Sequence, residues 1–243
     1  MKHEKIESAV TFSELQWDTE FFRVSCAKAI LHKPVTRLEW KGLLEKFRNY
    51  QFISIQNLNS EPANALLIGK DTTAFLADIN IQFIKKIDAD VIIPESIRIY
   101  QAMERDERIV KMADFPFSKF TEDPELAKRG GAEVYRQWLI NSFERQNKFY
   151  ALAEGGNGGI DGYLLHSYSD RTCIVELVAV SSNRAKGGIG TNLFKAIEYS
   201  AYQRGCREIK VGTQVQNVGA INFYHKVGCK QVGCHQVYHL WNL

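Results

Sequence analysis

The stretch from Val175 to Phe194, V-E-L-V-A-V-S-S-N-R-A-K-G-G-I-G-T-N-L-F, constrains the fold more than any other part of the chain. An apolar run suited to a buried strand passes through Ser181, Ser182 and Asn183 into a turn holding Gly187, Gly188 and Gly190, and Thr191 opens a helix. Glycines at such a turn let the backbone approach a ligand closely. The first N–H groups of the helix are unpaired within it and favour an anion. A phosphate-bearing cofactor is the expectation, and two phosphate-binding patterns fail on spacing. A P-loop places its lysine after the glycines, whereas Lys186 precedes them; a dinucleotide fingerprint needs a further glycine after Gly190, and none follows at that spacing.

A second stretch lies downstream. After the apolar strand E-I-K-V-G-T-Q, Glu208 to Gln214, comes Q-N-V-G-A-I-N-F-Y-H-K-V-G-C. The glycine turn resembles the acetyl-CoA signature [QR]-x-x-G-x-[GA] of the GNAT superfamily of N-acetyltransferases, with Gly188 and Gly190 in the small positions. The second stretch resembles the GNAT closing motif N-x-x-A-x-x-F-Y-x-x-x-G-F through Asn217, Ala220, Phe223, Tyr224 and Gly228. Two positions depart: Ala185 stands where Gln or Arg is usual, with Arg184 one residue early, and Cys229 replaces the final aromatic. The resemblance covers residues from about 86 to 243. It implies an α/β chain with the GNAT fold, a mixed, largely antiparallel, splayed sheet flanked by helices, with 1–85 as an N-terminal α/β segment and 86–243 as the acetyltransferase domain.

Composition narrows the setting. The 243 residues are 45% hydrophobic and 12% aromatic, enough for a packed core in one large or two small domains. Charges nearly balance, 31 basic against 28 acidic, which argues against a nucleic-acid role driven by a basic surface. No apolar run reaches the ~18 residues of a membrane span, and M-K-H-E-K-I-E-S lacks the apolar core of a secretory signal. A cytoplasmic protein without membrane or nucleic-acid partners is expected; a homodimer stays open. Five scattered cysteines without a C-x-x-C suit reduced thiols.

In the N-terminal segment, L-Q-W-D-T-E-F-F-R-V (Leu15–Val24) precedes a strand at 24–31. Trp40, Leu43, Leu44 and Phe47 fall at helical spacing, a strand is expected at 51–56 and a short helix near 63–67, and Phe75 to Phe83 alternate apolar with polar. Trp17 and Phe22 are either core aromatics or faces for a sugar or base. From 88 onward the reading is a strand at Val91–Ile93, a helix from Ser96 across Ile97, Tyr100 and Met103–Met112, then a proline-broken loop with Phe115, Phe117 and Phe120. Such a loop is a lid or packs over the core. A helix follows with Tyr135, Trp138, Leu139 and Ser142 on one face, then two hairpins leading into the strand of the opening stretch.

The resemblance implies that acetyl-CoA lies between the strand of Glu176–Val180 and that of Lys210–Gln214, beside Val178 and Val180. Its pyrophosphate would rest on backbone N–H groups of Lys186, Gly187, Gly188, Ile189, Gly190 and Thr191 with charge from Arg184 or Lys186, and Asn217, Ala220 and Phe223 would line the same cofactor. Transfer to an amine needs an oxyanion partner, for which an N–H near Val178 is the candidate, and a proton for the departing thiolate, for which Tyr224 is the candidate acid. Glu176, a carboxylate in an apolar strand, is a candidate base that needs either a cleft or a partner; His166 on the neighbouring strand is its rival, and an amine delivered partly neutral needs no strong base. Phe117, Tyr135, Trp138 and His166 join Trp17 and Phe22 as candidate acceptor contacts. Cys229, Cys234, His235 and His239 imitate a zinc set, but on a strand at 232–240 Cys234 and His235 point to opposite faces, so no metal is expected. The resemblance implies a small amine as acceptor. The W-D-x-x-F-F opening, the aromatic loop and the Y-x-x-W helix most resemble the TDP-fucosamine acetyltransferase group, which acetylates the 4-amino group of a dTDP-linked deoxysugar. Other small amines and a non-catalytic acyl-CoA sensor remain alternatives.

Overall fold

The computed structural model describes residues 8–87, 94–156, 158–181 and 187–242. The expected strand at Val91–Ile93 lies outside them. Two compact units emerge. The first holds the chain up to Ile81 together with Ser118–Gly131 and the residues from Gly233 onward; the second holds Gln82–Phe117 and Ala132–Val232. The first unit thus takes in two segments that the sequence reading placed after residue 86.

In the first unit, β1 (Val10–Glu14) runs antiparallel to β2 (Cys26–Leu31), and β2 parallel to β3 (Phe52–Asn57). The parallel pair is joined through α2 (Arg37–Phe47), as a parallel connection requires. Thr36 starts α2 with a capping box: its hydroxyl accepts the Glu39 N–H at 3.2 Å while the Glu39 carboxylate accepts the Thr36 N–H at 2.8 Å. Trp40, Leu43 and Phe47 are buried at the expected spacing, and Leu44 packs on the same cluster. With Ile68 of α3 (Pro62–Asp71) they cover Ala29, Leu31, Ile53, Ile55 and Leu240, one face of the sheet. The later strand β10 (Lys230–Trp241) completes the pairing by running antiparallel to β3 from Gln236↔Asn57 to Trp241↔Phe52. The opposite face meets α1 (Gln16–Phe22) and the pair α5 (Lys119–Glu122) and α6 (Pro124–Lys128), with Phe22 stacked on Phe120 at 6.3 Å. That pair corrects the expectation of an irregular loop across 115–131. Ser118 and Asp123 accept the first N–H groups of α5 and α6 and so start a helix on either side of the Pro124 break.

The second unit is built on antiparallel hairpins. Strand β5 (Ile97–Gln101) pairs with β6 (Phe149–Glu154), β6 with β7 (Ile160–Ser169), and β7 with β8 (Thr172–Val180). The tight turn between β7 and β8 places Asp170 and Arg171 at φ 46° and 63°, the left-handed pair of a primed hairpin turn. The helix expected from Ser96 is corrected: Ile97–Gln101 is extended because β6 offers it a ladder, and only α4 (Glu107–Val110), capped by Asp106, is helical before Phe117. Helix α7 (Val134–Ser142) buries Val134, Leu139 and Ser142, while Trp138 stays 40% exposed, so the expected stripe holds only in part. Leu139, Phe143, Tyr150, Leu152, Tyr163, Leu165 and Leu177 form this unit's core. Helix α8 (Ile189–Gln203), strand β9 (Glu208–Gln214) and helix α9 (Val218–Lys226) complete it. Strand β4 (Phe75–Lys86) and β10 each have residues in both units. No described helix is long and apolar enough to cross a membrane.

Candidate active site

Strands β8 and β9 are parallel, yet they pair only at Thr172↔Glu208, Cys173↔Ile209 and Ile174↔Lys210. Beyond Ile174 both continue without pairing each other, so alternate backbone amides of β8 face a gap rather than a strand. The parting has a local cause. On β7 the register passes from Leu165↔Leu177 to His166↔Val175, which leaves Glu176 as the extra residue of a β-bulge, and a bulge bends and twists the strand that carries it.

At the end of β8 the gap opens into a cavity of about 700 Å³ lined by residues of one unit, within the range typical of small-molecule sites. Val178 and Val180 come from β8, Gly188, Gly190 and Thr191 from the start of α8, and Asn217, Ala220, Phe223 and Tyr224 from α9. Ala179, Gly219 and Lys226 also line it and were not foreseen; Lys226 lies one α-helical turn from Phe223, a signal visible only once α9 is placed. Gly188 is the N-cap of α8 at φ 76°, which a side chain rarely tolerates, and a Cβ on Gly190 would stand 3.2 Å from the Phe223 ring. Ile189 turns away, its Cγ2 facing Gly162 of β7, and Gly187 is exposed outside the lining. Arg184 and Lys186 lie outside the described residues. The Asn217 side chain accepts the Ala220 N–H at 3.0 Å and so starts α9. An open strand edge beside a glycine turn and a helix N-terminus fits a cofactor with an amide-bearing arm and a phosphate end.

Tyr224 is 3% exposed, with Phe83 and Phe223 at 5.4 Å ring to ring, and its hydroxyl has no hydrogen-bond partner among the described residues. Burial pushes the phenol well above its ordinary pKa, so it stays protonated at neutral pH. Glu176 is not a free base. Lys148 Nζ lies 2.6 Å from both of its carboxylate oxygens and Ser167 donates a further hydrogen bond, an ion pair that accounts for a carboxylate in this strand. His166 is also corrected as an acceptor contact. It is 0% exposed, its Nε2 lies 3.0 Å from the Tyr168 hydroxyl, and burial pushes its pKa down to about 3. Phe22, 2% exposed against Phe21 and Phe120, is a core residue, whereas Trp17 stacks half-buried on Phe21 at 4.8 Å. Tyr135 accepts a hydrogen bond from Gln214 at the end of β9 and neighbours Trp138 and Phe115. Phe117 is half-buried.

The members of the zinc-like set have other partners. Cys234 meets the Ser60 hydroxyl, His235 Nδ1 accepts the Asn59 N–H, and His239 binds Asp123, while Cys229 is buried. Among the described residues no three His, Cys, Asp or Glu side chains converge as metal ligands would.

The family described as Acetyltransferase (GNAT) family matches residues 107–229, just over half of the chain. Among curated proteins of Bacillus subtilis (strain 168), the chain is 28% identical over 137 residues to the spore coat polysaccharide biosynthesis protein SpsD and 31% identical over 117 residues to the uncharacterized protein YdhI. The matches cover 56% and 48% of this chain but only 47% and 65% of those proteins, less than two thirds of either. A GCN5-related N-acetyltransferase from Sphaerobacter thermophilus shares the fold, with a TM-score of 0.63 at 14% identity over 96% of this chain and 76% of that one. By the family match and by the mixed sheet with its flanking helices, the chain belongs to the GNAT family of acetyltransferases.

Proposed function

We propose that this chain is an acetyl-CoA-dependent N-acetyltransferase whose acceptor is the 4-amino group of a dTDP-linked deoxyamino sugar. The observation that carries the reading is the parting of β8 from β9 beside the glycine-capped start of α8, with a protonated phenol in the same cavity. Acetyl-CoA, when bound, supplies an activated acetyl thioester. The amides of β8 beyond Ile174 hold the cofactor's arm as they would hold an added strand. The N–H groups at the start of α8 favour its pyrophosphate. A β8 amide near Val178 is the donor for negative charge that develops at an acyl oxygen. Tyr224 holds a proton at its phenol oxygen inside the cavity, available to a group that leaves as an anion. With Glu176 neutralised by Lys148, the acceptor amine loses its proton to another group. Support for the sugar comes from the W-D-x-x-F-F opening and from the polysaccharide role in the name of SpsD.

The test is CoA release from acetyl-CoA across dTDP-4-amino-4,6-dideoxyhexoses, free amino acids, polyamines and aminoglycosides, repeated with Tyr224→Phe. Turnover confined to the nucleotide sugars is expected, with kcat in Tyr224→Phe lower by roughly 10²-fold and the acetyl-CoA KM nearly unchanged. Turnover of a different amine class sinks the sugar assignment. Tight acetyl-CoA binding without turnover on any of them turns the protein into a sensor.

A further inference from the structure

Strand β8 carries a single charged residue. From Cys173 to Val180 it reads C-I-V-E-L-V-A-V, apolar on both faces except for Glu176. A strand of that kind fixes its own register poorly, because sliding it by one residue puts one apolar side chain where another stood. Yet the site depends on that register. Glu176 is the extra residue of the bulge, and without a bulge every residue beyond it would move by one against β7. Alternate amides of a strand point to opposite edges, so the N–H groups that face the gap toward β9 would turn to β7, and those bonded to β7 would turn to the gap. The bend that parts the two strands would be lost as well.

The Glu176 carboxylate is held from two other segments. Lys148 Nζ lies 2.6 Å from both of its oxygens, and the Ser167 hydroxyl donates to Oε1. Ser167 stands on β7 opposite Ile174, on the near side of the bulge. Lys148 directly precedes β6, and its own backbone is fixed on both sides: its N–H donates to the Arg145 carbonyl at 2.9 Å, and its carbonyl accepts the Ala102 N–H at 3.0 Å. The Lys148 and Glu176 side chains are 16% and 8% exposed, so water competes little for either charge. Buried ion pairs add little to stability over apolar side chains of similar volume; their best-attested use is to fix a register.

We propose that Lys148 and Ser167 are positioning residues of the acetyltransferase: acting through Glu176, they pin the bulge just before Val178 and so fix which β8 amides face the cofactor's arm and the acyl oxygen. The Glu176 carboxylate is a tether in this chain, held by Lys148 rather than open to the acceptor's proton. The inference rests on the acetyl-CoA reading of the cavity, and it divides the cofactor in two. The arm lies against β8 and feels the bulge. The phosphates lie at the start of α8 and find their N–H donors there whatever the register of β8.

Calorimetric titration of the full chain compares CoA, which has the arm, with 3′-phosphoadenosine 5′-diphosphate, which has the phosphates without it. Lys148→Met is expected to weaken CoA roughly tenfold and to leave the arm-less nucleotide at its wild-type affinity, while Lys148→Arg, which keeps a cation on the carboxylate, restores CoA. Should Lys148→Met fail to fold, Ser167→Ala removes the second tether and is read in the same way. A merely structural role would lower the melting temperature and weaken both compounds together. Unchanged CoA binding in Lys148→Met, equal weakening of both compounds, or Lys148→Arg as weak as Lys148→Met would overturn the proposal. The two readings fail separately: wild type that binds neither compound removes the acetyl-CoA assignment and the proposal with it, whereas wild type that binds CoA, with variants that do not tell the arm from the phosphates, keeps that assignment and removes the clamp.

Discussion

His166 sits in a closed polar chain, with its Nε2 on the Tyr168 hydroxyl at 3.0 Å, that hydroxyl on Ser200 Oγ at 2.9 Å, and the Arg204 guanidinium over the rings of Phe149 and Tyr168 at 4.3 and 4.8 Å. Its folded pKa of about 3 lies below the ordinary value of 6.5 because burial disfavours the imidazolium. The unfolded chain therefore binds the proton first as pH falls. Stability from this residue is complete above about pH 6.5 and drains by about 1.4 kcal/mol per pH unit down to about pH 3. Thermal melting between pH 7 and 4.5 should show a steep fall for wild type, and His166→Phe should flatten it while lowering the plateau at pH 7. An unchanged slope in the variant would mean that other groups carry the acid sensitivity. The same burial explains why His166 makes no acceptor contact.

At the scale of elements, α8 begins where glycine is needed twice. An L side chain at Gly188 meets left-handed backbone, at a cost of about 1–2 kcal/mol, and one at Gly190 meets the Phe223 ring. Gly188→Ala should lower stability by about that amount, and Gly190→Ala should weaken acetyl-CoA binding more than it lowers the melting temperature, because it moves Phe223 into the cavity; melting curves and an acetyl-CoA titration separate the two. Elements whose cause is local were legible in the sequence. The spacing of Trp40, Leu43 and Phe47, the strand ending at Val180, the helix beginning at Ile189 and the cap at Asn217 all announce themselves within a few residues. Ile97–Gln101 did not, since five residues flanked by charges carry too little periodicity to outvote a helix, and only the ladder of β6 makes them extended. The cavity lining was legible in the same way, through two short motifs. The partners of Glu176 were not, because no spacing along the chain encodes which side chains the neighbouring segments bring beside it.

At the scale of the whole molecule, the first unit is not a continuous piece of chain. A fragment spanning 86–243 keeps Ser118–Gly131 and the second half of β10 but loses what they pack on: β3 for Gln236–Trp241, and Phe22 for Phe120. Such a fragment should melt without a cooperative transition by circular dichroism, with the full chain as control. A sharp transition in the fragment would show that 86–243 folds alone. Asn57 on β3 and Gln236 on β10 share a hydrogen bond across 179 residues of sequence. A ribosome adds on the order of 5–20 residues per second, so β3 leaves it many seconds before its neighbour exists. Through that interval the chain carries a bare strand edge of the kind that draws in other chains. The open edge of β3 is among the last parts of the fold to be covered, and during synthesis its shelter must come from whatever attends the nascent chain.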